Sequence, residues 1–100
     1  MRPVARNFRT RLGEIDLVML DGECLTFVEV RFRGARAFVD AHLTVDARKQ
    51  RKLNAVAAQF IGRNALFHHH ACRFDVIGVD RREDGELSID WIRDAFRPGS

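Results

Sequence analysis

The sequence predicts a small α/β or α+β domain in which one long helix covers a face of a β-sheet. Three observations indicate this fold. Two strand-like apolar runs flank Asp21-Gly22, a dipeptide that favours a β-hairpin. A segment with the apolar spacing of a helix follows, and two further strand-like runs come after it. The chain of 100 residues is long enough for one domain with a single core.

The predicted elements follow one another without a linker. The strands are expected at residues 6–10, 14–20, 24–33, 72–79 and 87–92. The helix is expected to begin at Thr44, which can cap it, and to run to about Ile61, where Gly62 ends it. Its apolar stripe consists of Leu53, Val56, Ala57, Phe60 and Ile61. This stripe predicts that one helix face packs on the sheet, which has about four to five strands.

Pairing across the hairpin places its acidic residues on one side. With Asp21 and Gly22 in the turn, the pairs are Leu20–Glu23, Val18–Leu25, Asp16–Phe27 and Glu14–Glu29. Opposed residues point to the same side of a sheet. The side expected to form the core carries Ile15, Leu17, Met19, Cys24, Thr26, Val28, Val30 and Phe32. The other side carries Val18, Leu20, Leu25 and Phe27 near the turn, and Glu14, Asp16, Glu29, Arg31 and Arg33 toward the open end.

The three carboxylates of Glu14, Asp16 and Glu29 require a counter-charge, because opposed like charges destabilise a sheet. A hard divalent cation such as Mg²⁺ or Mn²⁺ is one candidate, since a few carboxylate oxygens, water and a substrate phosphate suffice to hold it. Arg31 lies on the same side and is the other candidate, in an ion-pair network without metal. The residues alone leave both interpretations open.

Several separated motifs carry a resemblance to a known family. They are Arg6-Asn7-Phe8-Arg9, Gly13-Glu14-Ile15-Asp16-Leu17-Val18, Phe27-Val28-Glu29-Val30-Arg31-Phe32-Arg33, Ala47-Arg48-Lys49-Gln50-Arg51-Lys52-Leu53, Arg73-Phe74-Asp75-Val76 and Trp91-Ile92-Arg93-Asp94-Ala95-Phe96. Together they resemble the uncharacterised bacterial YraN family, which is similar to the PD-(D/E)xK nuclease superfamily and to archaeal Holliday-junction resolvases. The resemblance implies one nuclease-like domain over residues 1–100 with a restriction-endonuclease-like sheet. Family members usually begin with an additional helix, which does not precede the first motif in this sequence.

The resemblance also implies roles for the hairpin residues. Asp16 matches the motif aspartate, and Glu29-Val30-Arg31 matches the E-x-K motif with Arg31 in the lysine position. In the superfamily the aspartate, the glutamate and the next backbone carbonyl, here that of Val30, bind metal, and the lysine positions or activates water. Arginine stays protonated, so Arg31 is expected to stabilise negative charge rather than to take a proton. Glu14 is expected to assist.

The first half of the chain is basic, since residues 1–52 hold eleven Lys and Arg against seven Asp and Glu. This balance favours an anionic partner, of which nucleic acid is the commonest, although ordinary solubility charge explains it equally well. The candidate nucleic-acid-binding residues are Arg9, Arg11, Arg33, Arg48, Lys49, Arg51 and Lys52. Four of them lie at the expected start of the helix, where phosphates bind readily.

Composition excludes several classes of protein. The sequence has no P-loop, GxGxxG, GxSxG or HExxH motif, so no organic cofactor is expected. No apolar run is long enough for a membrane span, and no secretory signal precedes the first motif. Two cysteines without a CxxC pair fit a reduced, cytoplasmic protein. Asp75, in an apolar strand, is expected to pair with an arginine.

Three functional hypotheses follow from the sequence. The first is an Mg²⁺-dependent nuclease that acts on structured DNA, with Asp16 and Glu29 as metal ligands and Arg31 at the transferring phosphoryl group. The second is a nucleic-acid-binding module of the same fold without turnover. The third is a homodimerising interaction domain whose interface is an exposed apolar patch formed by Val18, Leu20, Leu25 and Phe27.

Overall fold

The computed structural model describes residues 1–33 and 46–97, which form five strands and one long helix. The elements are β1 (Arg2–Thr10), β2 (Gly13–Asp21), β3 (Cys24–Arg33), α1 (Ala47–Arg63), a 3-10 turn (Ala65–Phe67), β4 (Ala71–Arg81) and β5 (Leu87–Phe96). The strands form one sheet in sequence order, antiparallel except for the parallel pair β3–β4. This mixed sheet with one long helix packed on it confirms the predicted α/β fold. Within the described ranges, no helix is long and apolar enough to cross a membrane.

The cap of α1 is Asp46, whose carboxylate accepts a hydrogen bond from the Lys49 backbone N–H at 2.8 Å. An aspartate at this position satisfies one of the free N–H groups of the first turn and places negative charge at the positive end of the helix dipole. The prediction of a cap at Thr44, which lies outside the described residues, is therefore wrong. Both residues are good caps in isolation, so the pattern did not distinguish them.

The other end of α1 lies beyond the predicted glycine. The helix continues through Gly62 to Arg63, because Asn64 provides the stop: its side-chain amide donates to the carbonyl of Phe60 at 2.7 Å. Gly62 therefore belongs to the last turn rather than to the cap. The predicted apolar stripe is confirmed, and its buried members are Leu53, Val56, Ala57 and Phe60.

The core lies between α1 and the hairpin face that carries Val18, Leu25 and Phe27, all of them fully buried. The ring of Phe60 on α1 meets the Phe27 ring edge to face, with centroids 6.0 Å apart. This is the face opposite to the predicted core. Of the predicted set, Ile15, Thr26 and Val28 are nevertheless buried, whereas Phe32 is 80% exposed. The prediction counted apolar side chains along the hairpin alone. The side on which the β3–α1–β4 crossover passes decides which face is covered.

The position of α1 also removes the predicted dimer interface. The patch formed by Val18, Leu20, Leu25 and Phe27 lies under the helix, and three of its four residues are 0% exposed. A surface that is already buried within the chain cannot bind a second copy. The hypothesis of dimerisation through this patch is therefore wrong.

The regular alternation of β2 is interrupted beside Asp16. Ile15 and Val18 are three residues apart, yet both belong to the core under α1. On β1, Asn7 lies between the residues that pair with Leu17 and Ile15, and its φ of 51° is in the left-handed region. Both strands thus change face at this point, which explains why Ile15, predicted on the opposite side from Val18, joins it in the core.

The hairpin turn consists of Gly22 and Glu23, because Asp21 belongs to the strand ladder. Gly22 has a φ of 61° at the first central position, where type II′ turns need a glycine. The register therefore differs by two residues from the predicted one. A shift by two keeps each side chain on the same side of the sheet. In the observed register Leu17 pairs with Val28, and this is the last regular pair before Asp16 and Glu29.

The buried carboxylate of Asp75 lies at the centre of a hydrogen-bond network that connects three strands of the sheet. Asp75 is 0% exposed and accepts three donors: the Arg73 guanidinium at 3.0 Å, the Trp91 indole N–H at 2.9 Å and the Asp94 backbone N–H at 2.9 Å. Arg73 also bonds Asp21 on β2 at 2.9 Å. The predicted pairing of Asp75 with an arginine is confirmed. The network links β2, β4 and β5 and leaves the carboxylate fully satisfied.

We expect Asp75→Asn to lower the free energy of unfolding by about 3 kcal/mol, because a buried amide cannot accept from all three donors and Arg73 keeps only Asp21 as a carboxylate partner. Urea denaturation monitored by circular dichroism measures the change. Asp84→Asn, in the exposed turn before β5, is the control and should leave stability nearly unchanged. Equal losses in the two variants would contradict a structural role for the Asp75 network.

Candidate functional site

A pocket of about 620 Å³ lies where the first turns of α1 meet the open end of the β2–β3 hairpin. Its acidic lining residues are Glu14, Asp16, Glu29 and Asp46, and its basic ones are Arg48, Lys49 and Lys52. Leu53 and Val56 of the core also contribute to the lining. The structure thus brings the three predicted carboxylates into one concave site with part of the predicted basic set. Such a pocket, with charged groups over an apolar base, is a typical ligand site.

Glu29 is the most buried acidic side chain of the pocket, at 11% exposed. Its Oε1 lies 3.0 Å from Nζ of Lys49 and 3.8 Å from Nε of Arg31. Burial raises the pKa of Glu29 above its ordinary value; the hydrogen bond from Lys49 lowers it, and the nearby Asp16 carboxylate raises it. The net direction is upward. The folded protein therefore holds this carboxylate in a place where its charge is unfavourable despite two cations.

Asp16 is held by the neighbouring strand. Its Oδ2 accepts a hydrogen bond of 2.7 Å from the backbone N–H of Val30, just beyond the last regular β2–β3 pair, Leu17–Val28. The side chain thus replaces a ladder hydrogen bond and becomes fixed relative to β3. This contact also places Asp16 beside Val30, whose carbonyl is predicted to be a metal ligand. That role of the carbonyl stays a prediction.

The other two predicted catalytic side chains lie around this pair. Glu14 forms an ion pair of 3.2 Å with Arg9, and both side chains are substantially exposed. Glu14 is thus engaged at the rim of the pocket. Arg31 lies beside Glu29 and is half-buried, but it is not among the residues that line the pocket. Of the two arginines, Arg31 is the one placed at the buried carboxylate.

The predicted nucleic-acid-binding residues fall into separate groups. Those that line the pocket are Arg48, Lys49 and Lys52, while Arg11 and Arg51 are exposed outside it. Arg9 is at the rim, paired with Glu14. The side chain of Arg33 lies outside the described part of the chain. The pocket therefore has a cationic wall, formed by α1, that faces the acidic hairpin wall.

The contact between Lys49 and Glu29 is the feature that the sequence reasoning missed. The predicted partner of Lys49 is a phosphate, and Asp46 has no predicted role. A signal was present, because Asp46 is a good cap and Lys49 lies three residues after it, in the first turn. Which strand this turn approaches depends on the crossover, and the local pattern does not contain that information.

The donor set fits a hard cation held by few protein ligands. Among the described residues, no group of three or more His, Cys, Asp or Glu side chains forms a ready metal cage. Asp16 and Glu29 nevertheless line one pocket and repel each other, as the influence of Asp16 on the pKa of Glu29 indicates. Mg²⁺ commonly binds through one or two carboxylates together with water and substrate phosphate. These two residues are the ones that would hold it.

We expect Glu29→Gln to raise the free energy of unfolding at pH 7. The pKa of Glu29 is raised in the folded protein, so its contribution to stability is fully present below the ordinary value of 4.5 and is lost as the pH rises through the folded pKa. The advantage of the variant should thus disappear in acid. Urea denaturation with a chelator present, from about pH 3 to about pH 8, measures this difference.

Glu23→Gln, at the exposed hairpin turn, is the matched control and should show no such pH-dependent gain. If Glu29→Gln instead destabilises the protein at pH 7, attraction to Lys49 and Arg31 outweighs the cost of burial.

Comparison with known proteins places the chain in a family. Residues 1–79 match the model of uncharacterised protein family UPF0102. A UPF0102 protein of Alcanivorax borkumensis is 44% identical over 93 residues, covering 93% of this chain and 74% of the relative. One from Ectopseudomonas mendocina is 44% identical over 96 residues, covering 96% and 79% respectively. One from Halorhodospira halophila is 43% identical over 100 residues, covering 100% and 75%. The matched range includes the β2–β3 hairpin and α1, and the chain is a member of the UPF0102 (YraN-like) family.

Proposed function

We propose that this protein is a nuclease-like phosphodiesterase that uses Mg²⁺ or Mn²⁺ and acts on structured DNA. The observation that supports the proposal most directly is the Asp16–Glu29 pair in a pocket whose other wall is cationic. A buried carboxylate beside a second carboxylate, with its pKa raised by burial, is typical of a functional site. A pocket with one acidic and one basic wall suits a metal–phosphate complex, in which the metal contacts the carboxylates and the phosphate contacts the cationic side chains. It suits a neutral ligand less well.

Each side chain has a role in this proposal that follows from its place. Asp16, fixed by the Val30 N–H, and Glu29 would hold the cation. Arg48 and Lys52 bind backbone phosphates on the helical wall of the pocket, where α1 presents its first turns. Arg31, beside Glu29, stabilises negative charge on the phosphoryl group. Glu14 and Arg9 border the site.

Arginine chemistry constrains how the nucleophile is formed. In hydrolysis, a water oxygen forms the new bond to phosphorus while the bond to the leaving sugar oxygen breaks, and the water must lose a proton. Arg31 cannot accept that proton because arginine stays protonated. A Mg²⁺ or Mn²⁺ ion held by Asp16 and Glu29 would supply this chemistry by lowering the pKa of a water molecule, whose proton would pass to bulk solvent while the leaving sugar oxygen takes a proton from solvent. Because Arg31 cannot be the base, the proposal assigns the activation of water to the metal.

The preference for structured DNA rests on the resemblance of the motifs to resolvase-like nucleases. The alternative is a nucleic-acid-binding module of the same fold without turnover. The observation that favours it is Arg31 itself, which replaces the titratable lysine of the E-x-K motif. Both hypotheses use the cationic wall, but only the nuclease needs the carboxylate pair.

Metal binding tests the site. We expect calorimetry to detect binding of Mn²⁺ or Mg²⁺ to the wild type, and its loss in Asp16→Asn and in Glu29→Gln, because each substitution removes one of two anionic ligands. Glu23→Gln removes the same charge elsewhere on the hairpin and should retain binding. No binding by the wild type would contradict the metal-dependent hypothesis.

Cleavage and salt dependence distinguish the two hypotheses. With Mn²⁺, the nuclease hypothesis requires cleavage of branched, duplex or single-stranded DNA that is lost in Asp16→Asn. Binding to the same DNA without cleavage would support the module. In either case, Arg48→Gln and Lys52→Gln should each reduce the slope of log affinity against log salt by about one, since each phosphate contact releases about one counterion. Anisotropy titrations at several salt concentrations measure the slope.

A further inference from the structure

Lys49 combines a fixed backbone with a movable charge. Its backbone N–H is bound to the Asp46 carboxylate at 2.8 Å, which anchors it in the first turn of α1. Its side chain reaches across the pocket to Glu29, with Nζ 3.0 Å from Oε1, and is 36% exposed. The lysine stem is flexible and its ammonium is a compact point charge. The ammonium can therefore leave Glu29 without any change in the helix.

The Lys49 ammonium occupies the position beside Glu29 that a bound divalent cation would need. A divalent ion bound to Glu29 would lie against the same carboxylate, and two positive charges at contact distance repel. Asp16 and Glu29 together carry two negative charges, which a divalent ion alone balances, so they do not compensate for an additional ammonium at contact distance. Arg31 is farther from Glu29, at 3.8 Å. Lys49 is therefore the cation that must move.

A released Lys49 remains within the pocket. Arg48 and Lys52 line the same wall, and all three follow the capped N-terminus of α1. A phosphate that approaches this wall meets Arg48 and Lys52 whether or not Glu29 is occupied. It meets the Lys49 ammonium only when Glu29 has another partner.

We propose that Lys49 and a divalent cation are alternative partners of Glu29, so that cation binding releases the Lys49 ammonium to bind a nucleic-acid phosphate. This inference rests on the proposed function, since it assigns the metal and the substrate of the same pocket. Its consequence is cooperativity: the cation raises the affinity for nucleic acid, and nucleic acid raises the affinity for the cation by the same factor. Lys49 is a binding residue in this scheme: its ammonium pairs with Glu29 when no metal is present and with phosphate when the cation is bound.

Lys52 provides the matched control. It lies on the same helix and lines the same pocket, and Lys52→Met removes the same charge without removing the Lys49–Glu29 contact. Lys49→Arg keeps the positive charge and reports whether the variant at this partly exposed position folds normally. Circular dichroism and thermal unfolding of all variants precede the binding measurements.

The experiment measures two affinities for the wild type, Lys49→Met and Lys52→Met. Calorimetry gives the affinity for Mn²⁺, and anisotropy gives the affinity for a labelled four-way DNA junction with and without Ca²⁺, a hard cation that also prefers carboxylate oxygens. We expect Lys49→Met to bind Mn²⁺ about fivefold more tightly than Lys52→Met does, and to lose most of the Ca²⁺-dependent gain in DNA affinity that Lys52→Met retains.

Equal behaviour of Lys49→Met and Lys52→Met in both assays would overturn the inference, because only a general charge effect would remain. DNA cleavage by the wild type together with such equal behaviour overturns the inference and leaves the proposed nuclease standing. A Lys49-specific effect without cleavage of any DNA supports the inference and overturns the nuclease. Absence of Mn²⁺ binding in every variant overturns both.

Discussion

Helix α1 connects the two parallel strands β3 and β4, and the face of the sheet on which it lies determines both the core and the site. A parallel pair requires such a crossover. Because α1 passes over the face that carries Val18, Leu25 and Phe27, these side chains become the core, and Phe60 packs among them. The same placement brings the first turn of the helix to the open end of the hairpin. The pocket exists only because the helix N-terminus and the carboxylates share one side of the sheet.

Two buried carboxylates illustrate different uses of the same chemical group. Asp75 accepts hydrogen bonds from an arginine, an indole N–H and a backbone N–H, so groups fixed in the sheet stabilise its charge. Glu29 depends on a partly exposed lysine and on a more distant arginine, and its pKa is raised by burial. The first arrangement stabilises the fold. In the second arrangement, a further cation would still stabilise the charge of the Glu29 carboxylate, as expected of a binding site.

The break in the β2–β3 ladder is what makes Asp16 available to the pocket. A regular strand would commit its backbone to pairing and fix the direction of this side chain. Instead the carboxylate itself accepts the Val30 N–H, and Asn7 on the neighbouring strand adopts a left-handed φ of 51°. Irregular strand positions of this kind commonly re-aim a side chain next to a functional site. The family motifs around Asn7 and Asp16 thus coincide with a structural irregularity rather than with a regular strand.

The sequence by itself determined the order of strands and helix, the apolar stripe of α1, the pairing of Asp75 with an arginine and the proximity of Asp16 and Glu29. These follow from periodicity, which relates residues within one element or across one short turn. A register error of two residues leaves the side of each paired residue between Leu17 and Val28 unchanged, since side chains alternate there with a period of two. Only the tertiary structure decided which hairpin face is buried, that Asp46 caps α1 and that Lys49 meets Glu29. Those facts depend on the side of the sheet to which the crossover carries the helix, and no local pattern encodes that side.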